Sequence, residues 1–193
     1  SPGRRADFCI LAAGREFAVE KTFLRGAPAV TGHPPACPPP DCHFCSRAPA
    51  APDIQIGGSG TALVIGLVPH QIVTRRLTFP LRPGDIPDLK RDLLKAVVCS
   101  RYQKGISGTG IVHGFGITSG AIAGSVSHDS HNIVAVGSRD NDIIRAIGLV
   151  IRNRGGLVAV SGTDATILPL GCAGLMSDAP YEEVCASLRK LNR

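Results

Sequence analysis

Tryptophan is absent from this chain of 193 residues, which has only two tyrosines and six phenylalanines. Few aromatic faces are therefore available to stack on nucleobases, and they do not interleave with the basic residues as a nucleic-acid surface would require. The net charge is +6, yet no run of Lys and Arg is longer than two, as at Arg4–Arg5 and Arg75–Arg76. That pattern reads as a solvated basic surface and predicts no nucleic-acid partner. Long apolar runs are also missing. The best candidate, Ile143–Ile151, is interrupted by Arg145 and falls short of the roughly 18–20 residues that span a bilayer. No extended apolar stretch follows Arg4, Arg5 and Asp7 to make a signal peptide. A soluble, cytoplasmic chain with no membrane partner is expected. Methionine occurs once, at Met176, so Ser1 is not an initiator: either the protein is processed or the chain is a piece of something longer, and the fragment is the reading expected here.

Cysteine is present in an odd number, seven, which argues against a disulfide scaffold. Cys9, Cys99, Cys172 and Cys185 lie in apolar stretches and read as buried thiols. Cys37, Cys42 and Cys45 cluster, with His33 and His43 nearby. Three thiolates and an imidazole can build a tetrahedral zinc site, but the spacing is loose and a second Cys-x-x-Cys is lacking. Ordinary loop thiols fit the same residues. The glycine-rich stretches Gly57–Gly60 and Gly105–Gly110 match no phosphate loop and read as turns.

With 44% hydrophobic and 19% charged residues, the chain can bury a core. Three zones follow from the pattern. Residues 1–30 hold two strand-like runs, Asp7–Leu11 and Phe17–Leu24, the second alternating. Residues 31–60 are rich in proline and are expected to run extended across a surface as a linker. Residues 61–193 hold short strands at Ala62–Val68, Ile72–Phe79, Ala96–Tyr102, Ile111–Phe115, Ala121–Val126 and Ile133–Val136. Leu157–Val160 and Ala165–Leu168 read as a hairpin. Pro87–Leu94 reads as helical. A further helix follows Ser138 or Asp140 as cap, with Ile143, Ile144, Ile147, Val150 and Ile151 on one face and a stop at Gly155. The last helix is signalled by Ser177, Asp178 and Pro180, with Tyr181, Val184, Cys185, Leu188 and Leu191 as its apolar face. The fold class expected is α+β: a mixed or antiparallel sheet with helices packed on it, preceded by two short strands of a small β domain.

The strongest chemical signal is Ser127-His128-Asp129-Ser130-His131-Asn132, a polar island between two apolar strands. Two imidazoles with a carboxylate between them could bind a metal, relay a proton or hydrogen-bond a heterocycle. A polar turn that satisfies its own backbone is the alternative, and His-x-x-His alone is a weak metal signature.

Four stretches carry a resemblance to the adenine deaminases. Val68–Leu77 (VPHQIVTRRL) is similar to the opening of that family's C-terminal domain, and 114–133 (GFGITSGAIAGSVSHDSHNI) resembles its most distinctive run. Leu168-Pro169-Leu170 and Ala173-Gly174-Leu175-Met176-Ser177-Asp178 resemble its closing motif. Residues 1–27, with Gly3, Ala6-Asp7, Val19-Glu20-Lys21 and Gly26, resemble the strands that complete the small β domain of amidohydrolases. The resemblance implies an enzyme that hydrolyses adenine to hypoxanthine and ammonia. It implies a manganese or iron centre in an amidohydrolase barrel, whose bound hydroxide attacks C6 of the purine. The ligand motifs of that barrel are not in this sequence, so the segment alone is expected to bind no metal and to be inactive. His128, Asp129 and His131 are then expected to line the purine pocket or support it, with Ser130, Asn132, Arg75 and Arg76 as substrate-binding candidates. A buried ion pair is the other reading of Arg75 and Arg76. The expected partners are adenine, the N-terminal barrel and further copies in a homo-oligomer. The competing class is a free-standing, non-catalytic domain that binds a purine or a partner chain.

Overall fold

The computed structural model describes residues 3–12, 18–29, 44–128 and 130–192. The chain divides into two compact units, Ser1–Cys37 and Pro38–Arg193.

In the first unit, β1 (Phe8–Leu11), β2 (Val19–Leu24) and β3 (Ala27–Pro28) form an antiparallel sheet in that order. Arg25 and Gly26 take positive φ in the tight β2–β3 turn, and the Asp7 carboxylate accepts the Arg25 amide at 2.7 Å. Phe8 and Phe23 face each other in register and stack at 4.7 Å. Both expected strands are present, shortened at their starts, and Phe17 lies outside the described residues. Three short strands cannot cover their own apolar side chains, and Phe8, Ile10, Leu11, Val19 and Leu24 stay exposed.

The second unit is built on eight strands: β4 (Gly60–Leu67), β5 (Thr74–Leu81), β6 (Leu93–Cys99), β7 (Ser107–His113), β8 (Ala121–Gly124), β9 (Ile133–Gly137), β10 (Gly156–Ser161) and β11 (Asp164–Pro169). They form one sheet in the order β11-β10-β8-β9-β6-β7-β4-β5. Neighbours are antiparallel except β4 and β7, which run parallel. The sheet is mixed and, with its two helices, α+β as the sequence predicts. Helix α1 (Asp140–Arg152) lays Ile143, Ala146, Ile147 and Val150 on the face made by Ala121, Ala123, Ile133, Ala135, Val158 and Val160. Each fully buried Ile or Val among them contributes about 1.5–3 kcal/mol. The seat is close because Gly137 has no side chain: a Cβ there would lie 2.6 Å from Ala121 Cβ and 2.8 Å from Ile143 Cγ1. Helix α2 (Tyr181–Leu191) rests on β11 and β10, and none of its residues is fully buried. No helix among the described residues is long and apolar enough to cross a membrane.

Five local expectations are corrected. Pro87–Leu94 is not a helix. The Asp88 carboxylate accepts the amides of Lys90 and Arg91 at 3.0 and 3.1 Å, and Asp88 and Leu93 exchange backbone bonds at 2.8 Å, so the segment closes a turn. Leu93 and Leu94 then enter β6 on opposite faces, both fully buried. The Gly105–Gly110 stretch is only partly a turn, since Ser107 onward pairs with β6 as β7. Neither Ser138 nor Asp140 caps α1: the N-cap is Arg139, Ser138 Oγ donates to Gly120 O, and Asp140 is drawn to the Lys95 ammonium at 2.5 Å. Within the proline-rich segment, Ala51–Ile54 winds into a 3-10 turn that drives Ile54 into the core instead of running extended. Of the four thiols expected inside, only Cys99 is buried; Cys172 and Cys185 are half-buried, and Cys9 is exposed on the small sheet.

Candidate functional site

Strand β8 stops after Gly124 and β9 begins at Ile133, so the polar island spans the gap between two central strands. Ser125 anchors the connection from below. Its buried hydroxyl donates to Gly174 O at 2.6 Å and accepts the Gly156 amide at 2.9 Å. His128 and Ser130 are exposed, and His131 and Asn132 are half-buried; Asp129 lies outside the described residues. His131 has φ 51, a left-handed value uncommon for a residue with a side chain. Its amide donates to Ser127 O at 2.5 Å, closing a tight turn. This brings the His128 and His131 rings edge to face, 6.4 Å between centroids. His131 Nδ1 is buried and finds no hydrogen-bond partner within the described residues. The Asn132 amide reaches Ser130 Oγ at 3.5 Å. Two imidazoles thus stand side by side on a turn held at both ends by strands.

Behind the turn sits a group that the sequence reading missed. Arg101 lies two residues past the end of β6 and is only 6% exposed. Its guanidinium donates to Ala173 O at 2.7 Å and to His131 O at 3.5 Å. Phe44 and Tyr102 flank it, their ring centroids 4.9 and 5.3 Å from Cζ, within cation–π range. Tyr102 also donates its hydroxyl to Ser130 O at 3.4 Å. The signal for these residues in sequence is slight: a basic residue beside a tyrosine where an apolar strand ends.

Arg75 and Arg76 do not join the turn. They lie on β5, the edge strand, four strands from β9, and four spacings of about 4.8 Å put them roughly 19 Å away across the sheet. Both are exposed, and no ion pair engages them among the described residues, so the buried pair is not formed. Cys45 is exposed, while Cys37 and Cys42 lie outside the described residues. Among the described residues no three of His, Cys, Asp and Glu converge to hold a metal ion. Beside the turn, at Val126, begins an open apolar groove of about 370 Å³ that runs along Ile122, Val134 and Leu157 to Leu188.

Residues 71–193 match the family model described as adenine deaminase C-terminal domain. The chain is 55% identical to a protein named adenine deaminase from Methanoculleus marisnigri, covering 99% of this chain and 37% of that protein. It is 54% identical to the one from Methanoregula boonei, covering 100% of this chain and 35% of that protein. The likeness to the Oleidesulfovibrio alaskensis protein of the same name is 40%, over 100% of this chain and 35% of its relative. The chain therefore spans about a third of the length of the curated relatives it matches. It belongs to the adenine deaminase family, whose C-terminal domain it carries.

Proposed function

We propose that the protein to which this chain belongs hydrolyses adenine at C6, giving hypoxanthine and ammonia, and that residues 127–132 border the purine. The observation that carries the reading is the pairing of His128 and His131 edge to face, with a buried, unpartnered Nδ1 on His131. A purine edge presents alternating nitrogen acceptors and an exocyclic amine. Imidazoles, a carboxylate and an amide on one turn can match that pattern of donors and acceptors. In this reading His128, Asp129 and His131 hold or move protons at the purine edge, and Ser130 and Asn132 orient it. Arg75 and Arg76 stand too far away to touch the same adenine, and the reading assigns them no part in it. The manganese or iron centre implied by the family belongs to an N-terminal barrel outside this chain, so the segment alone is inactive. The assembled enzyme works in the cytoplasm, in purine catabolism, as a homo-oligomer.

The test compares His131→Ala with its parent in the longer protein. A positioned proton-transfer group is worth about 10²–10⁴-fold, so kcat/KM for adenine should fall by at least tenfold while bound metal and melting temperature hold. An unchanged kcat/KM with a lowered melting temperature would return the turn to a structural role. Hypoxanthine formation by the 193-residue chain alone, with added manganese, would overturn the assignment of the chemistry to the barrel.

A further inference from the structure

The guanidinium of Arg101 is buried, yet no carboxylate pairs with it among the described residues. A buried cation without a counter-charge is costly unless its donors are used. Here Nη1 and Nη2 are used on main-chain carbonyls from two distant loops, His131 O, 30 residues away, and Ala173 O, 72 residues away, while the buried Nε finds no hydrogen-bond partner among the described residues. The planar fork of arginine suits that geometry, because one rigid group presents donors in two directions. The Phe44 and Tyr102 rings both lie within cation–π range of it, and the Arg101 carbonyl accepts the Cys45 amide at 2.9 Å, so head group and backbone are both held. Gly174 completes the packing: a Cβ there would lie 3.0 Å from the Phe44 ring and 3.1 Å from Arg101 Nη1. His131 is the residue that needs such a brace. Its φ of 51 persists only where the surroundings over-determine it, and its carbonyl is where Arg101 takes hold.

We propose that Arg101 is the positioning residue of the His128–Asn132 turn, fixing the imidazole of His131 through the carbonyl behind it. The significance of this for catalysis rests on the reading of that turn as a border of the purine pocket. Tyr102 assists through Ser130 O, so two consecutive residues hold two consecutive carbonyls of the turn.

Histidine Cε1–H NMR spectra of the chain, its Arg101→Gln variant and its Arg101→Lys variant test this directly. His70 and His113 serve as internal controls, because both sit at the far end of the sheet, His113 at the close of β7 and His70 in the β4–β5 turn. The expected result is a shift or broadening of the His131 and His128 signals in both variants, several-fold larger than at the controls. Lysine keeps the charge but cannot span two carbonyls, so it should not restore the parent spectrum. Equal changes at His70, His113, His128 and His131, or full restoration by Arg101→Lys, would overturn the proposal. If Arg101→Gln fails to fold, Arg101→Lys decides by the same comparison. A displaced His131 in these spectra, together with an unchanged kcat/KM for His131→Ala in the longer protein, would retain the brace and discard the pocket reading. No displacement would discard the brace alone.

Discussion

Removing the Asp140 carboxylate should unfold this chain far more easily than removing the whole ion pair to which it belongs. The Lys95 side chain is 4% exposed and the Asp140 side chain 28%, with Nζ and Oδ1 at 2.5 Å. Asp140 Oδ2 also accepts from Gln55 Nε2 at 3.0 Å, so one carboxylate ties β6, the start of α1 and the Ala51–Ile54 turn. Breaking a buried pair from one side costs about 3–5 kcal/mol, because the remaining ion stays desolvated. Water can follow the half-open Asp140 position, which puts Asp140→Ala at the lower end, about 3 kcal/mol. Losing an acidic residue from the first turn of α1 adds about 0.5 kcal/mol. For a chain of this size each kcal/mol is about 2–4 °C in Tm, so a fall of roughly 7–14 °C is expected. Adding Lys95→Met to Asp140→Ala should recover at least about half of that loss, since an apolar side chain of similar length no longer carries a stranded charge. Urea unfolding followed by circular dichroism measures all four corners of the cycle. The reasoning is refuted if Asp140→Ala costs under about 1 kcal/mol, or if the double variant is as unstable as the single one.

Three further outcomes follow from the same coordinates. Burial pushes the Cys99 thiol up to about 11, so near pH 8 roughly one molecule in a thousand carries its thiolate. Cys9 and Cys45 are exposed, and a thiol reagent should modify them well before Cys99; rapid loss of Cys99 in the folded chain would contradict its burial. Gly137→Ala should destabilise the chain by about 1–3 kcal/mol through overpacking, because its Cβ meets Ala121, Ile143 and the Gly120 carbonyl at once; a neutral denaturation midpoint would mean that α1 sits farther from the sheet. The Arg91 side-chain hydrogen bond holds the Asp88 carboxyl below its ordinary value of 3.8. That lowered pKa stabilises the fold at pH above the ordinary value and the benefit fades as pH falls through the folded one, so Asp88→Asn and its parent should differ near neutral pH and converge in acid; a gap constant with pH would refute it.

The hairpin of β10 and β11 and the helix α1 were legible in sequence because each carries its own period and its own stop. Val158 and Val160 are buried and alternate with the half-buried Leu157 and Ala159, and Ile143, Ile147 and Val150 repeat at helical spacing before Gly155. The errors arose where a side chain answered to something distant. Asp88 looks like the start of a helix until Arg91 and Leu93 claim it for a turn. Gly108 and Gly110 weaken a strand in isolation, and β6 alone supplies the pairing that makes them one. The order of the strands, with β8 placed between β10 and β9 and with β4 parallel to β7, has no local signature at all. The polar turn could be read because six hydrogen-bonding residues interrupt two apolar strands. Arg101 could not, because its partners are carbonyls, which every residue has.

The stretch 114–133, read in sequence as one hallmark, divides in space into two tasks. At its start, the amides of Gly114 and Gly116 donate to the Asp92 carboxylate at 2.9 to 3.1 Å. That fold-back lays Phe115 and Ile117 over Leu94, Ala96, Val112 and Val136, closing the middle of the sheet face opposite α1. Strand β8 then carries the chain across the sheet, about 13 Å for four residues, before Ser125 turns it toward the histidines. The two ends answer to different physical demands. The first needs glycine for positive φ at 102 and 66 and apolar side chains to cover a sheet. The second needs a buried hydroxyl, a left-handed histidine and an arginine brace. Substitutions at Phe115 or Ile117 therefore act through the core, and those at His128 or His131 act at the surface where the turn emerges. The contiguity of the motif reflects a strand that joins two ends of the sheet, and the purine contact proposed above involves only its residues 127–132.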